Sequence, residues 1–286
     1  MATRRRREAT DVGRHGRLRL AYTRQGRTTV IARSHCTSPW HFLPPIYLDD
    51  TGAAYTLLLN PSGGLVGGDH LSIDMTLGKG AHVLISSPSA NRVYRSSSET
   101  SVQQIDLSIG PGAILEWVPE PTIPFAGSRF RQVLHVALGP GAIVMLWDAI
   151  ASGRIARAER WAFSRLENEI SITAASGKVL ERYDLDPIGK QDAIGLAEKW
   201  DYVASFYVIG DTIEEERWKR LEESVGGVLD GCRDRVLAGV SEPSVRGRVV
   251  RLLTHSAPDL NAVLQSLWAA ARAQLLDLPI PALRKY

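Results

Sequence analysis

Three carboxylates fall on or beside stretches whose residue pattern predicts β-strands: Asp69, Asp148 and Glu181. A carboxylate held in a sheet can ligate a divalent cation, and two carboxylates a few ångströms apart can act as general acid and base. A salt bridge to a surface arginine is the alternative role for each of them. His70 directly follows Asp69 and adds a candidate imidazole ligand. Cation binding, acid–base chemistry and structural ion pairing are therefore all open at these positions.

The densest glycine cluster of the chain lies just before Asp69. It reads Gly63-Gly64-Leu-Val-Gly67-Gly68, and it lacks the Lys-Ser/Thr ending of a phosphate-binding P-loop. A second predicted strand follows the cluster, whereas a phosphate-binding loop leads into a helix. We therefore interpret the four glycines as a hairpin or bulge that sets backbone geometry and holds Asp69 where it can meet a cation.

Cysteine and histidine usage argues against a structural metal cage. The seven histidines are scattered, and the two cysteines, Cys36 and Cys232, lie far apart. His35, Cys36 and His41 have only loosely metal-like spacing, because structural zinc sites normally present four regularly spaced ligands. Neither a Gly-x-Ser-x-Gly nucleophile motif nor a Walker A motif occurs. Two cysteines without a disulfide framework favour a cytoplasmic protein.

Repeated strand–turn–strand units must position these side chains. Segments 77–81, 109–113 and 138–142 share the pattern Leu/Ile-Gly-x-Gly-Ala and recur at roughly 30-residue intervals. Alternating apolar residues precede each segment, and an apolar stretch follows it. Alternation predicts a half-buried strand, and Gly-x-Gly predicts a tight turn with positive φ. Because one such unit cannot bury its own apolar face, we expect the units to stack into one β-helix-like body.

The alternation has irregularities. Between Val102 and Ile105 the apolar period slips by one residue, which predicts a local register change in that strand. Further strands are predicted over residues 157–163, 166–172 and 179–184, with a hairpin turn between the last two.

The character of the chain changes after residue 210. Asp211 or Thr212 is placed to cap a helix, and Glu215 completes the spacing of a capping box. That helix is predicted over residues 212–225 and resumes over 228–237.

A strand over 245–253 and the clearest helix of the chain, over 260–276, follow. The sequence therefore predicts a mostly β fold: a stacked β-strand (β-helix-like) scaffold with two helical elements near the C-terminus. We expect a single β-rich domain over residues 17–286.

Positive charge is concentrated at the N-terminus. Residues 1–33 hold ten arginines against Glu8 and Asp11, a net of +8, which leaves −5 for the rest of a chain whose total is +3. A basic run can contact nucleic acid, but a mildly acidic body disfavours that partner. We expect residues 1–16 to form a disordered basic tail. The sequence has no apolar stretch of about 18 residues, so we predict no membrane span. It also has no apolar signal region after the basic start, so we predict no secretory signal.

Five short segments occur in an order that identifies a family. They are residues 57–69 (Leu-Leu-Leu-Asn-Pro-Ser-Gly-Gly-Leu-Val-Gly-Gly-Asp), 93–96 (Val-Tyr-Arg-Ser), 115–119 (Leu-Glu-Trp-Val-Pro), 147–148 (Trp-Asp) and 180–182 (Leu-Glu-Arg). Together with the C-terminal run from Arg251-Leu252-Leu253 through Trp268 to the Pro-rich tail, they resemble the urease accessory protein UreD family, called UreH in some lineages. The resemblance extends from about residue 16 to the end of the chain.

The resemblance implies a scaffold chaperone for nickel insertion into apo-urease, not an enzyme. Family members bind UreF, which recruits the GTPase UreG, and together they dock on the apo-urease subunits. The family's stack of β-strands is expected to pass nickel through its interior, with no tightly bound cofactor. In this interpretation the glycine cluster, Tyr94 and Arg95 are motif residues of a structural turn. The helices 212–225 and 260–276, together with the adjoining strands, are expected to expose an apolar face for UreF.

The same resemblance suggests a transient nickel route along Asp69, Asp148 and Glu181, with His70 as a further candidate. These residues match family acids in the strand core, where an unpaired carboxylate is costly without a cation or a donor. Carboxylates and a lone imidazole exchange metal readily, whereas a four-thiolate cage would trap it.

Two other functions are compatible with the sequence. A β-solenoid hydrolase or lyase acting on acidic polysaccharide would use Asp69 and Glu181 as acid and base and would work alone. A generic interaction module would bind protein partners and have no role with metal.

Overall fold

The computed structural model describes residues 14–187 and 199–283, which form two stacked β-sheets and two helices. The first sheet has seven strands in the order β14-β13-β11-β8-β5-β1-β2. These strands are β1 (His15–Gln25), β2 (Thr28–Cys36), β5 (His70–Leu77), β8 (Ser101–Ile109), β11 (Arg129–Leu138), β13 (Arg165–Ala174) and β14 (Gly177–Leu185).

The second sheet has ten strands, eight of them in the order β16-β17-β15-β12-β9-β6-β4-β3, while β7 and β10 pair beside this path. These strands are β3 (His41–Phe42), β4 (Ala54–Leu59), β6 (His82–Ser86), β7 (Asn91–Val93), β9 (Ile114–Trp117), β10 (Thr122–Pro124), β12 (Ile143–Ala151), β15 (Tyr202–Ile209), β16 (Val236–Ser241) and β17 (Gly247–Thr254).

The three Gly-x-Gly segments carry the chain from the first sheet to the second, as β5 to β6, β8 to β9 and β11 to β12. Equivalent strands pair in parallel within each sheet, which confirms the predicted stack. Gly110 donates its backbone N–H to the carbonyl of Leu77 (2.8 Å), and Gly139 donates to that of Ile109 (2.7 Å). Each turn therefore hydrogen-bonds to the turn before it, and this fixes the register of the strands between them.

The inner faces of the two sheets meet in one apolar core. In β8 the inward residues are Ser101, Gln103, Ile105, Leu107 and Ile109, at every second position. The predicted slip of register is therefore wrong. The strand is regular, and Gln103 occupies an inward position where the pattern led us to expect an apolar residue.

The central strands of the second sheet are buried on both faces because two helices cover its outer side. They are α1 (Glu215–Asp230) and α2 (Ala257–Leu276), which confirms the two predicted helical elements. The first helix begins after Glu214 without a side-chain cap, so the capping by Asp211 or Thr212 is wrong. The Asp211 carboxylate instead accepts from the backbone N–H of Ser176 (3.3 Å).

Two predicted elements differ from the structure. The helix predicted over residues 228–237 ends at Asp230, and the chain then enters the edge strand β16. Residues 157–163 form no strand: a 3-10 turn spans Ile155–Arg157, and an irregular segment follows. Trp161 and Phe163 of that segment are buried in a small apolar cluster, so burial alone accounts for the apolar pattern.

The N-terminal boundary also differs slightly. β1 begins at His15, inside the predicted tail 1–16, while residues 1–13 lie outside the described residues. Within the described part of the chain, neither helix has the length and apolarity needed to cross a membrane.

Candidate functional site

A row of polar side chains crosses the inner face of the first sheet. Gln103, Gln132, Asn168 and Tyr183 occupy laterally paired positions on β8, β11, β13 and β14. Gln103, Gln132 and Asn168 are buried. Buried amides need hydrogen-bond partners. Gln132 Nε2 donates to Asn168 Oδ1 (3.1 Å), and Asn168 Nδ2 donates to the Tyr183 hydroxyl oxygen (2.6 Å). The stack thus contains a polar line through an otherwise apolar core.

Asp148 approaches this polar row from β12 of the second sheet. Its Oδ1 accepts from Gln132 Nε2 (2.9 Å), and its Oδ2 accepts from Asn168 Nδ2 (2.7 Å) and the Tyr183 hydroxyl (3.2 Å). Among the residues that the structure describes, no arginine, lysine or histidine forms an ion pair with it within 4.0 Å. Burial raises the pKa of Asp148, the three donors lower it, and the charge of Glu181 raises it further. Asp148 is an interior acid held by neutral donors.

Glu181 lies next along the line, on β14. Its Oε2 accepts from the Tyr207 hydroxyl (2.6 Å) and from Arg251 Nη2 (2.7 Å), while its Oε1 accepts from Ser205 Oγ (3.2 Å). Burial raises the pKa of Tyr207, and the Glu181 charge adds to that rise. The phenol therefore stays protonated and remains a donor to the carboxylate.

Two cavities meet at Asp148. A small one of about 90 Å³ lies among Asn91, Gln103, Thr122 and Gln132. A larger one of about 640 Å³ lies among Glu181, Tyr183, Ser205 and Arg251. Asp148 lines both, so it lies between the two cavities and beside the polar row.

The polar row and the two cavities offer carboxylate, amide and hydroxyl oxygens to a visiting ion, with no thiolate. Oxygen ligands of this kind bind hard or borderline divalent cations and release them readily. Within residues 14–187 and 199–283, no three His, Cys, Asp or Glu side chains form a group able to hold a metal ion.

The comparison with known families identifies the chain. The family model described as "UreD urease accessory protein" matches residues 14–285. The chain belongs to the UreD family. It is 32% identical to "Urease accessory protein UreD" of Paracidovorax citrulli over 267 residues, which cover 92% of this chain and 95% of that protein. The protein of the same name from Haloarcula marismortui is 32% identical over 279 residues, covering 96% and 91%. That from Deinococcus radiodurans is 39% identical over 202 residues, covering 70% and 72%.

In this UreD-family chain the glycine cluster packs against residues 93–96. Leu65 and Val93 form an isolated parallel bridge, so the two motifs lie side by side. A Cβ atom at Gly64 would lie 2.4 Å from the carbonyl oxygen of Arg92, and one at Gly67 would lie 2.2 Å from Ser96 Oγ. The glycines therefore permit close approach of two backbone segments.

The other motif residues of this turn lie at its edge. Gly68 has a φ of 84°, which favours glycine. The Tyr94 hydroxyl donates to the Gly63 carbonyl (3.4 Å), and the Tyr94 ring packs edge-on against Phe125 at 5.1 Å. Arg95 is exposed beside Gly127. The role of these residues as a structural turn stays a prediction.

Asp69 and His70 lie apart from Asp148 and Glu181. Asp69 accepts the backbone N–H of Val66 (2.8 Å), which closes its own turn. Burial raises the pKa of Asp69, while that hydrogen bond and the charges of Arg14 and the neighbouring histidines lower it. His70 is exposed and stacks on His15, with ring centroids 5.5 Å apart. A role for Asp69 and His70 with nickel stays a prediction.

The separation of Asp69 from Glu181 argues against acid–base catalysis by this pair. Asp69 precedes β5, Glu181 lies on β14, and three strands intervene in the first sheet. Four strand steps of about 4.8 Å give roughly 19 Å. The carboxyl groups of glycosidases lie about 5–9.5 Å apart, so the two acids cannot act on one bond.

The Trp147-Asp148 pair and residues 115–119 connect the interior to the helices. Trp147 points away from the polar row, donates to the Pro119 carbonyl (2.7 Å), and meets the Trp268 ring edge-on at 6.1 Å. Glu116 is fully buried and accepts from Trp268 Nε1 and Arg272 Nη1, each at 2.5 Å. These contacts fasten α2 to the second sheet.

The apolar docking face expected on the two helices is absent from the described residues. Their apolar side chains, such as Trp218 and Leu267, are buried against the second sheet and each other. Exposed large apolar side chains do lie on β16, the strand that follows α1, at Leu237 and Val240, and elsewhere in the described chain at Leu43, Ile46, Tyr47, Val66 and Leu180.

Sequence reasoning missed the amides of the polar row and Arg251. A signal for the amides was present: Gln103, Gln132 and Asn168 each interrupt an inward apolar series at the same level of the stack. Arg251 begins the C-terminal run of the family resemblance, but the sequence gives it no role, because its contact with Glu181 joins residues 70 positions apart.

Proposed function

We propose that this chain serves nickel insertion into apo-urease, as a scaffold that links urease to UreF and the GTPase UreG and conducts nickel through its interior. In this proposal it makes and breaks no covalent bonds itself. The observation that carries the proposal is the position of Asp148, a carboxylate without an ion-pair partner among the described residues, where two cavities meet.

The physical basis is a balance between holding and releasing the ion. A buried carboxylate is costly without a counter-charge, so Asp148 attracts a passing cation. Its neutral donors Gln132, Asn168 and Tyr183 already satisfy both carboxylate oxygens, which limits how tightly the ion is held. A nickel ion then moves from Glu181 to Asp148 and onward past Gln132 and Gln103, or in the reverse direction.

Urease activation at limiting nickel tests this route. The variants Asp148→Asn and Glu181→Gln keep side-chain volume and remove one charge each. We expect each to lower the rate of urease activation about tenfold in the presence of UreF and UreG, the scale on which metal-site partners act. Matched controls are Asp74→Asn and Glu169→Gln, whose carboxylates pair with Arg19 and Arg182 on the outer face of the first sheet.

The result that contradicts the route is parent-like activation by folded Asp148→Asn and Glu181→Gln proteins. Equal loss in the outer-face controls would also contradict it, because a general charge effect would then explain the data.

The scaffold part of the proposal has a separate test. Co-expression with UreF and UreG, followed by size-exclusion chromatography, should yield a complex that contains this chain. Elution of this chain apart from both partners would contradict it. A cytoplasmic location fits Cys36 and Cys232, which are free thiols.

A further inference from the structure

The only charged partner of Glu181 among the described residues is Arg251, and it faces the same cavity. We propose that Arg251 is a displaceable counter-ion: its guanidinium occupies the position of a cation on Glu181, and a divalent cation enters by displacing it. The identity of the cation as nickel rests on the proposed function, whereas the displacement rests on the geometry.

The two partners of this ion pair differ in their freedom to move. Arg251 Nη2 lies 2.7 Å from Glu181 Oε2, and the side chains are 51% and 17% exposed. Glu181 is further held by Tyr207 and Ser205. The carboxylate is therefore the fixed partner, and the half-exposed arginine is the one that can leave.

Space for that movement exists on the neighbouring edge strand. Arg251 on β17 pairs with Gly239 on β16, and a Cβ atom at Gly239 would meet no atom within 4 Å. Arg251 Nη1 donates to Ser241 Oγ (3.1 Å) on the same strand. The guanidinium can withdraw over the glycine once its hydrogen bond to Ser241 is broken, so Ser241 holds it in the resting position.

The charge balance gives the arginine a function in ion transfer. While Arg251 is in place, Glu181 is neutralised and Asp148 is the acid left without an ion pair among the described residues. A divalent cation at Glu181 must replace the guanidinium, so its net affinity is lowered by the competition. After displacement the nearby arginine repels the bound cation and favours its departure toward Asp148. The arginine thus keeps the entry position from becoming a trap.

Direct binding of Ni²⁺ to the purified full-length chain tests this inference. Affinity is measured by competition with a chromogenic chelator at low ionic strength. We expect Arg251→Gln to bind Ni²⁺ about tenfold more tightly than the parent, because the competing charge is gone. The gain should disappear in the double variant Glu181→Gln/Arg251→Gln.

A matched control lies one residue away from Glu181. Arg182 Nη2 also lies 2.7 Å from a carboxylate oxygen, Glu169 Oε2, but this pair is on the outer face and Arg182 is 65% exposed. Arg182→Gln removes the same charge from a second ion pair of β14, which lies within the first sheet, and should leave Ni²⁺ affinity unchanged.

Unchanged affinity in folded Arg251→Gln, or an equal gain in Arg182→Gln, overturns the inference. If Arg251→Gln does not fold, Ser241→Ala and Arg251→Lys carry the test. The first removes the second anchor of the guanidinium and should tighten binding about twofold. The second keeps the competing charge and should bind Ni²⁺ no more tightly than Ser241→Ala does. Parent-like affinity in Ser241→Ala then overturns the inference. Binding reports on the displacement and urease activation reports on the proposed function, so either can fail without the other.

Discussion

Trp268 on α2 donates its indole N–H to Glu116, a fully buried carboxylate 152 residues earlier in the chain, across 2.5 Å. Arg272, one helical turn later, donates to the other carboxylate oxygen (2.5 Å), and His82 Nε2 lies 2.7 Å from that same oxygen. A buried charge is tolerated only when it is paired and hydrogen-bonded, and Glu116 meets both conditions. This one carboxylate joins α2 to strands β6 and β9.

The first prediction concerns stability at Glu116. Glu116→Gln leaves the buried Arg272 without its nearest carboxylate, so we expect a loss of about 3 kcal/mol in the free energy of unfolding. Urea denaturation at neutral pH measures it. Glu169→Gln, which breaks an exposed ion pair, should change the same quantity by no more than about 0.5 kcal/mol. Similar losses in both variants would contradict the special weight given to the buried pair.

The pH dependence of that loss has a defined sign. Burial would raise the pKa of Glu116, but His82, Arg272 and Trp268 outweigh burial and hold the pKa below its ordinary value. Stabilisation from such a group is present above the unfolded pKa, about 4.3, and is lost as pH falls through the folded pKa. The stability difference between the parent and Glu116→Gln should therefore shrink below about pH 4. A stability difference between the parent and Glu116→Gln that grows as the pH falls would contradict the lowered pKa of Glu116.

Asp148 should show the opposite dependence. Burial raises its pKa above the unfolded value of about 3.9, so the ionised carboxylate destabilises the fold at neutral pH. As pH is lowered from 7 toward 4, the parent should gain stability relative to Asp148→Asn. Thermal unfolding of both proteins across this range measures the trend. As a control, Asp74→Asn removes an acid from an exposed ion pair, and its stability should change with pH as that of the parent does. A stability difference between the parent and Asp148→Asn that does not change with pH would argue against the raised pKa of Asp148.

Two glycine substitutions should differ in sign. In Gly64→Ala the new methyl group would lie 2.4 Å from the Arg92 carbonyl oxygen, so the turn must open, at a cost of about 2 kcal/mol or more. In Gly227→Ala, within α1, the methyl meets no atom within 4 Å, and stability should rise by about 0.5–1 kcal/mol. Denaturant unfolding measures both. A neutral Gly64→Ala would show that the two motif segments do not need their close approach.

Ser256 and Thr212 differ in whether they cap a helix. Ser256 caps α2 by accepting the backbone N–H of Asp259 at 3.2 Å, whereas Thr212 caps no helix. Ser256→Ala should cost about 1 kcal/mol of unfolding free energy. Thr212→Ala should cost less than about 0.5 kcal/mol. Equal losses of unfolding free energy in Ser256→Ala and Thr212→Ala would indicate that Thr212 does cap a helix.

The stack of strands was predictable because its signals are local. Alternation around the segments 77–81, 109–113 and 138–142 depends only on residues near in sequence, and so does positive φ in their glycine turns. The capping of α1 was mispredicted for the converse reason. Asp211 has the right residue type, but its carboxylate is engaged by Ser176, 35 positions earlier.

The sequence by itself determined the strand–turn units, the two helical elements, the family and the candidate carboxylates. Only the tertiary structure decided which of those carboxylates share a cavity. Alternation states which face of a strand a residue occupies, but lateral neighbours depend on the register between strands, which the stacked turns set. That register aligns Gln103, Gln132 and Asn168 beneath Asp148, and the strand order separates Asp69 from Glu181.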